Sequence, residues 1–467
     1  MSETNISNPR FYPKYHLAAP YGWINDPNGF CFYKNRFHMF YQYHPYSTEW
    51  GPMHWGHATT KDLVSWNNKP IALAPDRDYD RDGCFSGSAI EKDGKLYLMY
   101  TGHVNAGDHC VQTQCFAVSE DGVTFEKIEG NPVIGTPEEL PDVDSFDFRD
   151  PKVWKCGEKY YCVIGSKTPE YIGQVVLYES DDLNKWNFKS IAVRDKKDEK
   201  TMWECPNLAE LDGGDVMIIS VTIPQDNGNI WQTEYIAGKF DYATGIFDGG
   251  ERTLIDFGTD FYAPQITTTP DGRVIMIGWL SMWGAGMPEQ ADGWAGMMSI
   301  PRELIFDNGK LRTVPVKEML KLRDKHFTKK NLSLTEKTCF KSFRGDVGEL
   351  LIEVDLKNNP DFAVELRADG DERTVLSYNS ESRILKLDRE QSGEGPKNPG
   401  EVVLEKSDKL KLQIFLDKSS IEIFANDGEA AISARIYPRE TSQQIFFVPQ
   451  KEILKITSAT FYRFKCN

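Results

Sequence analysis

The sequence predicts an all-β chain, a five-bladed β-propeller followed by a C-terminal β-sandwich. Short apolar strands alternate with Gly, Asn and Asp turns, and long amphipathic helical windows are nearly absent. A polar turn followed by an apolar strand recurs five times, and the Gly of the last four turns stand at 94, 157, 213 and 272. That spacing of roughly 60 residues, built from strands, is the mark of a propeller in which each copy is one four-stranded blade. Beyond residue 330 the period is lost while strand patterning continues, which reads as a sandwich.

The turns are Lys34-Asn35 before residues 37–43, Asp93-Gly94 before 96–100 and Gly157-Glu158 before 160–165. Gly213-Gly214 then precedes 216–221, and Asp271-Gly272 precedes 274–280. A second mark follows in the first three copies: Lys61-Asp62-Leu63-Val64-Ser65-Trp66, Glu120-Asp121-Gly122-Val123-Thr124-Phe125 and Asp181-Asp182-Leu183-Asn184-Lys185-Trp186. A weaker fourth copy is Phe240-Asp241 with Phe247. Residues 1–310 are therefore read as the propeller, 311–330 as a Lys-rich linker with a short helix around 316–323, and 331–467 as the sandwich. Strands are expected at 350–356, 362–366, 375–378, 410–415, 420–424 and 431–437. Alternation in Ser420-Ile421-Glu422-Ile423-Phe424-Ala425 predicts one buried face. The sandwich is expected to support the propeller; sugar binding, or contact with a second subunit, stays open as its sharper role.

Bulk properties narrow the function classes. The 467 residues are 40% hydrophobic and 12% aromatic, with a net charge of −16. Such acidity argues against nucleic acid and anionic membranes as partners and is neutral toward an uncharged sugar. The polar residues 1–14 lack the apolar core of a secretory signal. No window approaches the roughly 18 apolar residues of a membrane span. The nine scattered cysteines read as reduced thiols of a cytoplasmic protein, and the close pairs Cys110/Cys115 and Cys156/Cys162 fit no zinc spacing.

The repeat also brings acids together. Asp26, inside Gly22-Trp23-Ile24-Asn25-Asp26-Pro27-Asn28-Gly29, lies a few residues ahead of its blade's first turn. So do Asp150 in Phe148-Arg149-Asp150-Pro151 and Glu204 in Trp203-Glu204-Cys205-Pro206, and Tyr262-Ala263-Pro264 holds the same place in the fifth copy. Any one of these acids alone reads equally well as a turn cap. If the first strand of each blade is innermost, all three ring one end of the central channel. Trp23 and Trp203 stand beside two of them and Arg149 beside the third. Such a site suits glycoside hydrolysis, which needs a carboxylate and a carboxylic acid flanking the scissile bond. Crowding drives their pKa values apart, and Trp faces offer platforms for sugar C–H groups.

These motifs resemble those of glycoside hydrolase family 32, the β-fructofuranosidases. Phe85-Ser86-Gly87-Ser88, Met53-His54-Trp55-Gly56-His57-Ala58 and Phe261-Tyr262-Ala263-Pro264-Gln265 extend the match. Ile300-Pro301-Arg302-Glu303-Leu304 and Asp417-Lys418-Ser419-Ser420-Ile421-Glu422-Ile423-Phe424 complete it, over almost the whole chain. The resemblance implies a propeller joined to a sandwich and retaining chemistry, with no cofactor and no metal. It implies Asp26 as nucleophile, Glu204 as general acid/base, and Asp150 as transition-state stabiliser holding the 3- and 4-hydroxyls of the fructosyl ring. Asn25, Gln42, Trp50, Phe85, Ser86, Arg149 and Tyr262 would bind substrate. The implied substrates are sucrose, sucrose-6-phosphate or a short fructo-oligosaccharide. The segment 283–290 departs from the pattern and leaves the preferred leaving group open. A fructosyltransferase and a catalytically inactive carbohydrate-binding propeller are the rival readings, and a homo-oligomer stays open.

Other groups are expected in humbler roles. His54 and His57 read as pocket-lining or structural, since no third metal ligand is evident. Trp279, Trp283 and Trp294 read as shaping the pocket mouth, with core packing the alternative for each. Residues 194–200 read as a solvated charged loop.

Overall fold

A computed structural model describes residues 6–140 and 142–466; residues 1–5, part of the polar stretch 1–14 that lacks the apolar core of a secretory signal, lie outside the described residues. Blade I comprises Gly22–Tyr33, Arg36–His44, His54–Thr60 and Asn67–Leu73, and blade II Gly83–Lys92, Lys95–Asn105, Cys110–Ser119 and Glu126–Lys127. Blade III is Phe148–Cys156, Lys159–Lys167, Gly173–Ser180 and Asn187–Arg194; blade IV is Met202–Leu211, Gly214–Ile223, Ile230–Asp241 and Ile246–Leu254. Blade V is Tyr262–Thr268, Val274–Trp279, Arg302–Asp307 and Lys310–Pro315. The first strands of the blades neighbour one another around the axis, so they are the innermost. The long excursion between the second and third strands of blade V returns to blade I, where Gly22 and Trp23 pair in parallel with Trp294 and Ala295. That pairing ties the last blade to the first.

Both sequence marks have a backbone cause. The first turn joins strands one and two of each blade; Lys34 and Asn35 sit at φ 45° and 60°, Asp93 and Gly94 at 52° and 75°. Two consecutive left-handed residues make the tight hairpin whose twist suits the sheet, and Asn, Asp and Gly tolerate it best. The second mark joins strands three and four. Asp62 Oδ1 accepts from the amides of Val64 and Ser65, Asp121 Oδ1 from Val123 and Thr124, and Asp182 Oδ1 from Asn184 and Lys185. One carboxylate thus closes the same turn in three blades.

Strand pairing runs through the stretch read as a linker. Lys310–Pro315 completes blade V, Lys317–Leu322 is a short 3-10 helix, and Arg323–Leu334 is an edge strand of the sandwich. Their polar composition reflects edge positions in sheets. The sandwich has two antiparallel six-stranded sheets, and every strand expected from the pattern is present. The charged loop after blade III is only partly solvated: the Asp195 carboxylate is buried and lies 3.0 Å from Arg252 Nε.

The expectation of one buried face at Ser420–Ala425 needs correction, because all six residues are buried. Ile421 and Ile423 face the sandwich core, while Phe424 packs in a cluster shared with propeller residues such as Ile24 and Ile277. Ion pairs fill that shared interface. Arg302 of blade V reaches Asp256 at 2.7 Å and Glu422 at 2.6 Å, and lies over the rings of Phe261 and Phe424. Arg435 of the sandwich reaches Asp260 at 2.8 Å. His16 is clamped between Asp417 at 2.7 Å and Glu422 at 2.9 Å. Burial alone would push the imidazole down, but the hydrogen bonds to both carboxylates outweigh it and raise His16 to about 9.

Removing one member of such a buried network strands the others. Arg302→Met is expected to cost about 3–5 kcal/mol in chemical denaturation, with both domains weakened together. His16, raised by folding, contributes stability that is full below pH ~6.5 and fades as pH rises through about 9, so the melting temperature falls across that window. A His16→Gln variant should lose most of that alkaline slope.

Candidate active site

Each innermost strand carries one extra residue against its partner, at the same height. The irregularity falls between Ile24 and Pro27, between Phe85 and Gly87, opposite Val163 and Gly165, between Glu204 and Asn207, and between Tyr262 and Gln265. A bulge leaves a residue unpaired and re-aims its side chain, and Pro, lacking an N–H, is at home there. Pro151, Pro206 and Pro264 lie within it in three blades, while Pro27 and Gly87 are the first paired residues after it in the other two. Asp150, Cys205 and Ala263, each just before the proline, sit at φ 66°, 48° and 49°.

Aligned on these bulges, the blades supply two tiers to the axis. One tier is Asp26, Ser86, Asp150, Cys205 and Ala263; the other, one residue earlier, is Asn25, Phe85, Arg149, Glu204 and Tyr262. The sequence pattern treated the three acids as equivalent, but Glu204 belongs to the second tier. This offset gives it different neighbours from the two aspartates.

The acids meet in a cavity of about 410 Å³ lined by Asp26, Asp150 and Glu204 with Asn25, Gln42, Trp50, Phe85, Ser86 and Arg149. His103 and Gln112 join them from outside the expected set, together with Trp283, which the sequence placed at the pocket mouth. Asp26 accepts from Ser86 Oγ at 2.5 Å on one oxygen and from Asn25 Nδ2 at 3.0 Å on the other. Trp23 Nε1 in turn holds Asn25 Oδ1 at 2.8 Å. Asp150 accepts from the Cys205 amide at 3.0 Å, and the Cys205 thiol lies 3.5 Å from Asp150 and 3.7 Å from Asp26. Glu204 is gripped from both sides. Arg149 donates to Oε1 from Nε at 3.1 Å and Nη2 at 2.9 Å, while Tyr262 and Thr222 hydroxyls reach Oε2 at 2.5 and 3.1 Å. Tyr262 is buried behind Glu204 and does not line the cavity.

Electrostatics separate the groups. Burial raises Asp26 to about 6; Ser86 and Asn25 pull it down and Glu204 adds to the rise. Burial also raises Asp150, to about 7, against the pull of Arg149 and with help from Glu204 and Asp26. Burial and the same aspartates keep the Cys205 thiol protonated, as a donor between them.

Several expectations are revised. Trp203 is not a platform: strand alternation turns it away from Glu204 into the core between blades III and IV. Trp23 is covered by Trp283, with ring centroids 6.1 Å apart and planes at 25°. The aromatic walls of the cavity are instead Trp50, Phe85 and Trp283. Trp279 and Trp294 are fully buried core residues. His57 stacks on Phe40 and meets His38 at 3.1 Å, and burial keeps both imidazoles neutral; with His54 bonded to the Pro52 carbonyl, neither lines the cavity. Cys205 was legible in principle, because it holds the place of Asp26 and Asp150 once blades are aligned on proline. His103 and Gln112 arrive from the second and third strands of blade II, where the repeat carries no signal.

The family descriptions for the N-terminal and C-terminal domains of glycosyl hydrolases family 32 match residues 16–315 and 318–463. A sucrose-6-phosphate hydrolase of Escherichia coli is 40% identical over 444 residues, covering 93% of this chain and 91% of that protein. A raffinose invertase of Escherichia coli is 37% identical over 444 residues, with the same coverage of 93% and 91%. The solved structure of a Bombyx mori family 32 β-fructofuranosidase superposes with a TM-score of 0.86 at 33% identity, covering 99% of this chain and 96% of that one. The chain belongs to glycoside hydrolase family 32.

Proposed function

We infer that this chain is a β-fructofuranosidase that releases terminal, non-reducing β-D-fructofuranosyl units from sucrose, sucrose-6-phosphate or short fructo-oligosaccharides. The observation that carries this reading is the convergence of three carboxylates, each with different donors, on one axial cavity walled by aromatic rings. Relatives bearing the names sucrose-6-phosphate hydrolase and raffinose invertase support the substrate class.

In this reading Asp26, oriented by Ser86 and Asn25, attacks the anomeric carbon of the fructosyl ring. The bond to the leaving oxygen breaks as Glu204 passes its proton to that oxygen. Arg149 stabilises the carboxylate that Glu204 becomes. Asp150 accepts hydrogen bonds from ring hydroxyls and offsets the positive charge developing on the ring. Water then attacks the fructosyl–Asp26 ester, Glu204 takes its proton, and fructose leaves with retained configuration. Asn25, Gln42, Trp50, Phe85 and Ser86 bind the sugar, and Tyr262 acts on it through Glu204. The propeller carries the chemistry and the sandwich holds it. Nine free cysteines favour a reducing, cytoplasmic setting. Among the described residues, no helix is long and apolar enough to cross a membrane.

Glu204→Gln should lower kcat/KM on sucrose by roughly 10²–10⁴-fold; an unchanged rate refutes the assignment. Nuclear magnetic resonance of fresh product should show β-fructofuranose first. Asp26 must be ionised to attack, so kcat/KM should fall toward acid below pH about 6. Asp26→Asn should abolish turnover yet raise stability above pH 6 by on the order of 1–2 kcal/mol, because folding makes ionising that carboxyl harder. Thermal melting of the variant against wild type at pH 5 and 8 reads the difference, which should be larger at pH 8.

A further inference from the structure

His103 lines the cavity but lies beyond hydrogen-bond contact with the three acids. It is buried, and its ring lies parallel to Phe85 at 4.0 Å and 8°. Nε2 stands 3.1 Å from Asn105 Oδ1, an atom that only accepts, so Nε2 carries the hydrogen and Nδ1 is free to accept. The amide nitrogen of Gln112 donates to that Nδ1 at 3.5 Å. This sets the Gln112 amide the right way round: its Oε1 accepts from the Phe148 amide at 2.9 Å and from Arg149 Nη1 at 3.3 Å. A flipped amide would press its NH₂ against both donors. Arg149 Nη1 is held on its other side by Asp147 at 2.6 Å, leaving Nε and Nη2 to grip Glu204. Burial and the neighbouring Arg149 push the His103 imidazole down from its ordinary value, against the hydrogen bond to Asn105 and the pull of Asp82.

We propose that His103 and Gln112 are positioning residues for the acid/base step, a hydrogen-bonded relay that aims the Arg149 guanidinium at Glu204. The proposal rests on the reading of Glu204 as the acid that protonates the leaving oxygen. A relay acting through Glu204 matters for a poor leaving group and little for one that departs without a proton. A residue that only shapes the cavity affects both alike.

The test is kcat/KM on sucrose and on 4-nitrophenyl β-D-fructofuranoside for wild type, Glu204→Gln, His103→Leu, His103→Asn and Gln112→Met. His103→Leu and Gln112→Met should each lose ~10-fold more on sucrose than on the nitrophenyl substrate, as expected for weakened general acid catalysis. His103→Asn, whose amide oxygen takes the place of Nδ1, should restore the sucrose rate to within ~3-fold of wild type. Equal losses on both substrates would overturn the relay, and Gln112→Met carries the test alone if His103→Leu does not fold. If Glu204→Gln discriminates between the substrates and neither relay variant does, the relay falls while the reading of Glu204 stands. If Glu204→Gln itself fails to discriminate, both fall.

Discussion

Three carboxylates crowded around one cavity repel one another, and burial makes Asp26 and Asp150 resist ionisation. Much of the propeller's inner wall is arranged around that constraint. Each acid has a different set of donors: a hydroxyl and an amide for Asp26, a backbone amide for Asp150 with the Cys205 thiol shared between the two, a guanidinium and two hydroxyls for Glu204. The donors come from different blades, so no single hairpin could assemble the site. Five strands around one axis can, because the bulge in each brings two consecutive residues, one per tier, to the cavity or to the wall behind it.

The same logic governs the junction of the two domains. Asp256, Asp260, Glu422 and Asp417 would be destabilising there alone, and Arg302, Arg435, Arg389 and His16 neutralise them. Charge pairs of this kind fix a single docking geometry, since a shift of an ångström or two would leave buried charges unmatched. Asp256 and Asp260 immediately precede the innermost strand of blade V, which bears Tyr262. The docked sandwich therefore holds the segment that leads into the wall behind Glu204.

Aromatic residues were a coarser guide than carboxylates. A Trp beside an acid in sequence points to the opposite face of an extended strand, as Trp203 does, unless a bulge intervenes. Tryptophans that do meet the sugar cavity come from loops, Trp50 between blade I strands and Trp283 in the excursion of blade V. Loop residues reach a site by the path of the chain, which strand periodicity does not encode.

What the amino-acid sequence determined by itself was everything local or periodic. The blade count follows from Gly and Asp turns with a backbone reason to be there, and the convergence of Asp26, Asp150 and Glu204 follows from their place ahead of those turns. Ile421 and Ile423 likewise announced their buried face. Tertiary structure alone decided what depends on contact between distant segments. It buried the opposite face of Ser420–Ala425 against the propeller, set Glu204 one tier away from the aspartates, and brought His103 and Gln112 to Arg149. The physical reason is that turns and alternation are written within a few residues, whereas desolvation, charge pairing and hydrogen-bond partners are properties of the packed whole.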